Sequence, residues 1–425
     1  MILMGEKQVN YLEKIREAFG CADIDVDERV KNVNIHLSVA PSSLPNEAGL
    51  RGLISLFPEQ DSVRAFLNDD SGSVYTITSN APFDEETYVA FKSSLFADVP
   101  VSITFEITKG FKDGYLSVYC FEKFVNDILS LSICDVLTAF ADLYEEQQHI
   151  YFKVYDREIF FKTGTMVFDS GTHSIKWTVL DRKNRLDKCR EISCFYNQSQ
   201  YPLLPDDFAV DVGSEKCKLN DLFSNICTNL SLAYLATTSS ISENELRIQI
   251  TGQRILDDVI PLRLQESNEE MYKIYSWVFV DGNPIDKILL ARNTVSTHCR
   301  FTKITRLDGK TLASIQANYN LYLKKDVEQY IALTNVVAEH IQTSVNNIAE
   351  CIDKLQNGIK GNLIAVLGFL LSTVLTSGIS GRTLDDIFTK DIIAIMYFVL
   401  LGSLIYCAVT VSEIIAKQKR ILEPI

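Results

Sequence analysis

Several charged side chains of this 425-residue chain are spaced as they are in a metal-dependent hydrolytic site. Glu145 or Glu146 lies on a predicted helix, Asp169 follows an apolar stretch, and Asp181 and Lys183 come next with one residue between them. Carboxylates can hold Mg²⁺, and a lysine beside them can help to position the attacking water. The spacing therefore offers Asp169, Asp181 and Lys183 as candidate catalytic residues, with Mg²⁺ as the cofactor.

The order of these residues resembles the core of the PD-(D/E)xK nucleases over residues 145–183. The resemblance implies cleavage of nucleic acid, with Asp181–Lys183 on a strand. A second Asp-x-Lys, at Asp308–Lys310, lies in a predicted turn, so this short pattern also occurs outside such a context. A nuclease is therefore an alternative and not the first hypothesis.

Arg292, Asn293 and His298 match the R-x4-6-H pattern of the HEPN ribonucleases. The resemblance implies a His–Arg pair that cleaves RNA by acid–base catalysis. HEPN domains are all-helical, whereas this chain has many alternating stretches, so we expect these residues at the end of a surface helix. The neighbouring Cys299 would need a base from elsewhere in the fold to act as a nucleophile. The other histidines are isolated, and we expect structural or solvated roles for them: His36, His149, His173 and His340.

Charge and cysteine content limit the classes of function. The formal charge is −14, and residues 361–425 contribute none of it, because their five basic and five acidic side chains cancel. An acidic body repels phosphates, which disfavours broad nucleic-acid binding. The ten cysteines include no CxxC pair, and none forms a zinc-like cluster with histidine. We therefore expect reduced thiols in a cytosol-facing protein.

Two apolar segments near the carboxyl end predict membrane helices. Residues 361–379 contain no ionisable side chain, and residues 392–415 contain only Glu413. As helices they would be about 28 and 36 Å long, which matches a hydrocarbon core of ~30 Å. Residues 380–391 would form a short external loop. The basic excess on the other side predicts a cytoplasmic body and tail: Lys354, Lys360, Lys417, Lys419 and Arg420 against Arg382 and Lys390.

The first apolar segment has a face of small residues that allows close helix packing. We expect this face to pack on the second segment, with an intermolecular contact as the alternative. No acidic, basic or histidine side chain lies near the centre of either segment, which argues against a transporter. The face consists of Gly361, Ala365, Gly368, Ser372 and Thr376.

Residues 326–360 show a heptad-like spacing typical of a coiled-coil seam. Asp326 could begin this helix, and Gln329 would complete a capping box. The helix could pack on its own body or associate with copies of itself; in the second case the copies would gather their membrane segments. The seam residues are Val327, Ile331, Thr334, Ala338, Ile341, Val345, Ile348, Ile352, Leu355 and Ile359.

The rest of the chain predicts an α+β body. Residues 101–107 alternate as a half-buried strand does, and Asp113-Gly114 should turn them into a hairpin with residues 115–121. Asn283 and Pro284 should start a helix. Further strands are predicted at 151–155, 159–162, 166–168, 175–180, 246–250, 272–280 and 315–323, and further helices at 1–20, 122–131, 135–148 and 219–237.

The predicted organisation is an α+β cytosolic body, a helical stalk and a two-helix transmembrane hairpin. A loose stretch at 196–213 suggests a boundary within the body. The predicted segments are an N-terminal domain (1–200), a second α+β region (201–325), a stalk (326–360), two spans (361–379 and 392–415), an external loop (380–391) and a tail (416–425).

By layout alone, this organisation resembles bacterial membrane effectors of anti-phage abortive-infection systems. The resemblance implies an integral protein of the bacterial inner membrane whose body recognises a cytosolic ligand or protein and whose hairpin acts on the bilayer. The expected partners are the lipid bilayer, further copies of the chain, and a cytosolic protein or small ligand. A membrane-tethered nuclease and a membrane scaffold are the alternatives; no cofactor is expected except Mg²⁺ for the nuclease.

Overall fold

A computed structural model describes residues 9–422 except 70–71, 146, 178–179, 212, 264–266, 281, 301–302 and 380–388. The chain divides into two compact units, Met1–Asn320 and Leu321–Ile425. The first unit is mixed α/β and contains sheets. The second is formed by a long helix that begins in the first unit and by an apolar helix at the carboxyl end.

The first part of the body is an antiparallel sheet with the strand order β1-β2-β5-β3-β4. Its strands alternate between buried and exposed side chains because one face packs on helices α1 to α3. The strands are β1 (Asp25–Glu28), β2 (Asn32–Val39), β3 (Ser62–Asn68), β4 (Val74–Thr78) and β5 (Val101–Thr108). The helices are α1 (Tyr11–Phe19), α2 (Glu47–Ser55) and α3 (Glu85–Ser94), with a 3-10 turn at Pro41–Ser43.

Two smaller sheets follow. In the sheet β6-β7-β9-β8, strands β6, β7 and β9 run parallel and β8 is antiparallel. The sheet β10-β11-β12-β13 starts with a short parallel pair and continues antiparallel. The strands are β6 (Tyr115–Val118), β7 (Ile150–Val154), β8 (Phe160–Lys162), β9 (Met166–Asp169), β10 (Cys194–Phe195), β11 (Thr238–Ser242), β12 (Glu245–Thr251) and β13 (Ile255–Pro261).

Helices α4 to α10 surround these two sheets. Their starts follow ordinary capping chemistry: Asn283 accepts a hydrogen bond from Ile285 N, and Pro284 occupies the first turn of α10. The helices are α4 (Phe121–Ser130), α5 (Ile133–Leu143), α6 (Arg182–Ile192), α7 (Pro205–Phe208), α8 (Leu219–Leu235), α9 (Glu269–Phe279) and α10 (Pro284–His298), with a 3-10 turn at Ile304–Arg306.

The apolar side chains of the body form two hydrophobic clusters. The first is formed by buried apolar residues between Tyr11 and Ile107, together with Tyr119 and Tyr155. The second is formed by Val30 and by buried apolar residues between Leu116 and Ile315. The second cluster includes Phe195 and Leu219, which lie on either side of the stretch 196–213. The domain boundary suggested there stays a prediction.

Two long helices complete the described chain, α11 (Lys310–Ile379) and α12 (Lys390–Leu422). Each contains an 18-residue window that is apolar enough to cross a membrane, and none of either window is buried. The predicted external loop, residues 380–391, lies mostly outside the described residues.

Several predicted strands are wrong. Residues 272–279 of the strand predicted at 272–280 lie in helix α9, where Met271, Ile274 and Val278 are buried at helical spacing. Residues 315–323 lie in helix α11, so Asp326 is inside a helix and does not cap one. Residues 175–177 have no regular structure, and 178–179 lie outside the described residues.

The hairpin predicted at Asp113-Gly114 is half correct. Both residues have positive φ values, 52° and 81°, as a tight turn requires. The strands on either side of the turn do not pair with each other, because β5 joins the first sheet and β6 pairs with β7. The turn therefore connects two sheets.

Candidate functional site

Asp169 lies at the carboxyl end of β9, and its side chain is buried. Its carboxylate accepts hydrogen bonds from Tyr151 Oη (2.9 Å) and the Gly171 backbone N–H (2.8 Å). The third contact is with His173 Nδ1, at 2.7 Å from Oδ1. Tyr151 comes from the neighbouring strand β7, so one sheet and the loop after it together hold this carboxylate.

His173 pairs with Asp169 and remains accessible, with 45% of its side chain exposed. Its ring packs on Phe160, with the ring centroids 4.7 Å apart. Because a carboxylate only accepts hydrogen bonds, Nδ1 is the donor of this contact, and in the neutral imidazole Nε2 is then an acceptor. A buried carboxylate that orients an accessible histidine in this way is an arrangement used for general acid–base catalysis.

The strand register places two further polar side chains beside Asp169. Ser117 of β6 pairs with Lys153 of β7, and Lys153 pairs with Asp169 of β9. Paired residues of adjacent strands point to the same face of a sheet. This row, which we call the strand-end row, lies at the carboxyl ends of three parallel strands, the usual place for a ligand in such sheets.

The hydroxyl and the amine of the strand-end row have different surroundings. Ser117 is 1% exposed, and among the described residues its hydroxyl has no hydrogen-bond partner. Lys153 places its ammonium 5.5 Å from the centre of the Tyr155 ring. The row and His173 carry a hydroxyl, an amine, a carboxylate and an imidazole, of which the carboxylate and the imidazole are in contact.

The other residues of the predicted nuclease site have different surroundings. Asp181 is the N-cap of α6, where Oδ1 accepts from Asn184 N at 3.1 Å. Lys183 is exposed in the first turn of that helix, so the expected strand at this position is wrong. Glu145 is exposed after α5, and Glu146 lies outside the described residues. The residues that the structure describes contain no group of three or more His, Cys, Asp or Glu that could hold a metal ion.

Arg292 and His298 are both on α10 and make structural contacts. The Arg292 guanidinium donates to the backbone oxygens of Leu235 (2.9 Å), Ala236 (2.7 Å) and Ile192 (3.2 Å). Burial lowers the pKa of Arg292 to about 10. His298 Nδ1 contacts Thr311 Oγ1 at 3.0 Å. The Arg292 guanidinium is therefore used as a hydrogen-bond donor to backbone oxygens at the ends of α8 and α6, and it is not available to bind a substrate.

Within the second unit, α12 contacts α11 in antiparallel order. Asn362 Nδ2 donates to Ser403 O (2.9 Å) and contacts Cys407 Sγ (3.0 Å). Further from the connection between the helices, Lys417 Nζ donates to Glu350 Oε2 at 3.0 Å. Between these two contacts, Gly358 faces Thr410: a Cβ placed on Gly358 would lie 3.3 Å from Thr410 Cγ2.

The small face of α11 is not the face that contacts α12. The half-buried residues of this stretch include Cys351, Leu355, Asn362 and Val366, whereas the small residues are exposed. A Cβ built on Gly361 or Gly368 would meet no atom within 4 Å. The expectation that this face packs on the second apolar segment is therefore wrong. Its residues are Gly361, Ala365, Gly368, Ser372 and Thr376.

Comparison of the chain with known proteins gives no match to a family model, to a curated protein or to a solved structure.

The residues that sequence reasoning missed are His173, Ser117 and Lys153. His173 was expected to be isolated, but the loop after β9 brings it back to Asp169 four residues earlier. Ser117 and Lys153 carry no motif. The available signal was their position near the ends of apolar strands, which has meaning only when the strands are known to be parallel neighbours.

Proposed function

We propose that this protein is a membrane-anchored sensor or effector. Its body recognises a cytosolic ligand or protein, and the two carboxyl-terminal helices act on the bilayer as a transmembrane hairpin. The observation that supports this proposal is the continuity of α11: Thr311 and Ile315 are buried in the body, and the same helix contains the first apolar window.

Exposed apolar surface supports the membrane anchor. Many large apolar side chains of the two apolar segments are more than one-third exposed, and each would cost ~1.5–3 kcal/mol to leave in water. Hydrocarbon removes that cost, and helices satisfy their own backbone hydrogen bonds there. Examples are Leu363, Ile364, Leu371, Phe398 and Leu404.

The orientation and the cellular role also belong to this proposal. Basic residues before the first apolar segment and after the second support a cytoplasmic location of the body and the tail. The layout suggests the bacterial inner membrane and a role in anti-phage defence, where membrane damage would stop growth of the infected cell.

Membrane fractionation and a growth assay test the anchor and the effector role separately. The full chain should stay in the membrane pellet after carbonate extraction, and a chain without residues 361–425 should move to the supernatant. Expression of the full chain should depolarise cells, as measured with a potential-sensitive dye, and the truncated chain should not. A full chain that is soluble without detergent would refute the anchor, and depolarisation by the truncated chain would refute the effector role.

A membrane-tethered enzyme is the second candidate, and the Asp169–His173 pair favours it. His173→Gln and Asp169→Asn should each lower the enzymatic activity at least tenfold. The first substitution removes the base, and the second removes the carboxylate that orients it. Asp181→Ser, which keeps a capping oxygen, and Lys183→Ala are matched controls. Loss of nuclease activity in the controls would instead support the magnesium nuclease predicted from Asp169, Asp181 and Lys183.

A scaffold that recruits partners to the membrane is the remaining alternative. It predicts that the full chain neither depolarises cells nor turns over a substrate, while the same cytosolic partner binds with and without residues 361–425.

A further inference from the structure

The predicted seam of α11 remains exposed although α12 packs on the same helix. Ile341, Val345, Ile348 and Ile352 are 60%, 54%, 56% and 58% exposed. Leu355 is the seam residue that is half-buried in this stretch. Contact with α12 therefore leaves most of the seam uncovered.

The two faces of α11 are distinct. Successive residues of an α-helix are rotated by about 100°, so the half-buried face, centred on Cys351, Leu355 and Asn362, is rotated roughly 60° from the seam. The Glu350–Lys417 and Asn362–Ser403 contacts fix α12 to that face. A second helix can therefore approach the seam beside α12 without displacing it.

We infer that the seam is the surface through which copies of this chain associate in parallel. The spacing of 3 and 4 residues from Val327 to Ile359 matches a knobs-into-holes contact between like helices. The inference rests on the proposed function in one respect. Because α11 continues into the membrane segment, all copies in one membrane have the same direction.

The distribution of charged side chains along this part of α11 is compatible with a parallel pair of helices but not with burial of the seam in lipid. In a parallel, in-register pair, the positions that flank the seam face one another across it, and from residue 335 onwards they are uncharged. Lipid is excluded as the cover because Glu339, Glu350, Asp353 and Lys354 lie on the same stretch of helix. The uncharged flanking residues are Asn335, Val337, Gln342, Ser344, Ala349, Cys351, Gln356 and Gly358.

The oligomeric mass of the full chain in detergent tests the inference. The wild-type protein should have the mass of two or more chains by light scattering, and Ile341→Asp with Ile348→Asp should reduce it to one chain. Val336→Asp with Thr343→Asp adds the same charge to the opposite side of the helix and should leave the oligomer intact. A wild-type mass of one chain, or an oligomer that survives the seam variant, would overturn the inference.

A crosslinking experiment tests direction and register in membranes. In a parallel, in-register pair Val345 faces Val345 of the other copy, so Val345→Cys should give a new disulfide-linked dimer on oxidation. Thr343→Cys points away from the seam and should not. Equal crosslinking of the two variants would contradict the seam, and seam variants that bind only a different protein would show a hetero-oligomeric partner instead.

The failure of this inference can be told apart from the failure of the anchor. A chain that stays in the membrane pellet but has the mass of one copy refutes self-association and leaves the proposed function standing. A chain that is soluble without detergent refutes the anchor and the parallel alignment together.

Discussion

Arg292 shows how a residue that matches a catalytic pattern can be fully used by the fold. Its guanidinium donates to two backbone oxygens at the end of α8 and to one at the end of α6. Arg292→Met should leave these acceptors without a donor and lower the free energy of unfolding by about 2–3 kcal/mol. A thermal melt of the full chain in detergent, followed by tryptophan fluorescence, would measure the loss. Arg306→Met, at an exposed position, is the control, and an equal effect of the two substitutions would contradict this role.

Cys299 is a second residue whose chemistry is decided by its surroundings. Burial, and then the nearby Asp258, raise the pKa of the Cys299 thiol to about 11. The thiol is therefore protonated at neutral pH, and the thiolate fraction should grow roughly tenfold per pH unit until the pH approaches that value. Alkylation with iodoacetamide, read by mass spectrometry, should follow this profile. Labelling of Cys299 at pH 7 as fast as that of the exposed Cys194 would show that the thiol is activated.

At the scale of elements, a buried ion pair connects β1 with the segments that follow β5. Lys109 Nζ lies 2.5 Å from Glu28 Oε1, both side chains are inaccessible to solvent, and the Glu28 carboxylate also accepts from the backbone N–H groups of Tyr119 and Cys120. Lys109→Met should destabilise the protein by about 3–5 kcal/mol, because it leaves a buried charge without a partner.

The double variant Lys109→Met with Glu28→Gln is the matched test of that pair. It should recover much of the lost stability, because the uncompensated charge is gone and the amide oxygen can still accept from one of the two backbone N–H groups. Additive effects of the two single substitutions, measured in the same thermal melts, would show that the pair contributes no coupling.

The contact between α11 and α12 makes a direct prediction for a pair of engineered cysteines. Gly358→Cys with Thr410→Cys should form a disulfide on mild oxidation in membranes, because the two positions face each other. Gly361→Cys with Thr410→Cys should not, since Gly361 lies on another face of the helix. Equal crosslinking of both pairs would show that the two helices do not hold this register.

For the whole molecule, the proposed effector role requires that the body and the membrane segments act together. Gln329→Pro should break or kink α11, because proline removes a helical hydrogen bond and clashes with the preceding turn. We expect this variant to remain in the membrane pellet and to lose the depolarisation that the full chain causes, whereas Gln329→Ala should retain both properties. Depolarisation by the proline variant would show that an intact helix is not needed.

Local composition was sufficient to predict the parts of this protein whose structure depends on near neighbours. The alternation in residues 101–107, the Asn283-Pro284 helix start and the helix at 219–235 are confirmed. The two apolar segments near the carboxyl end are confirmed as candidate membrane helices. Each of these features arises from residues within one contiguous stretch of the chain.

Packing between residues far apart in the chain determined the features that the sequence did not predict. Residues 272–280 and 315–323 show alternating apolar residues, yet 272–279 are packed as a helix with Ile274 and Val278 buried, and 315–323 continue a long helix in which Leu321 and Leu323 are exposed. The strand-end row needs three parallel strands in register, and the Asp169–His173 pair needs a loop that folds back on its strand. Which face of α11 meets α12 was likewise fixed by contacts such as Asn362 with Ser403, between residues far apart in the chain. Periodicity shows that a helix has several usable faces, and only the packed neighbour selects one of them.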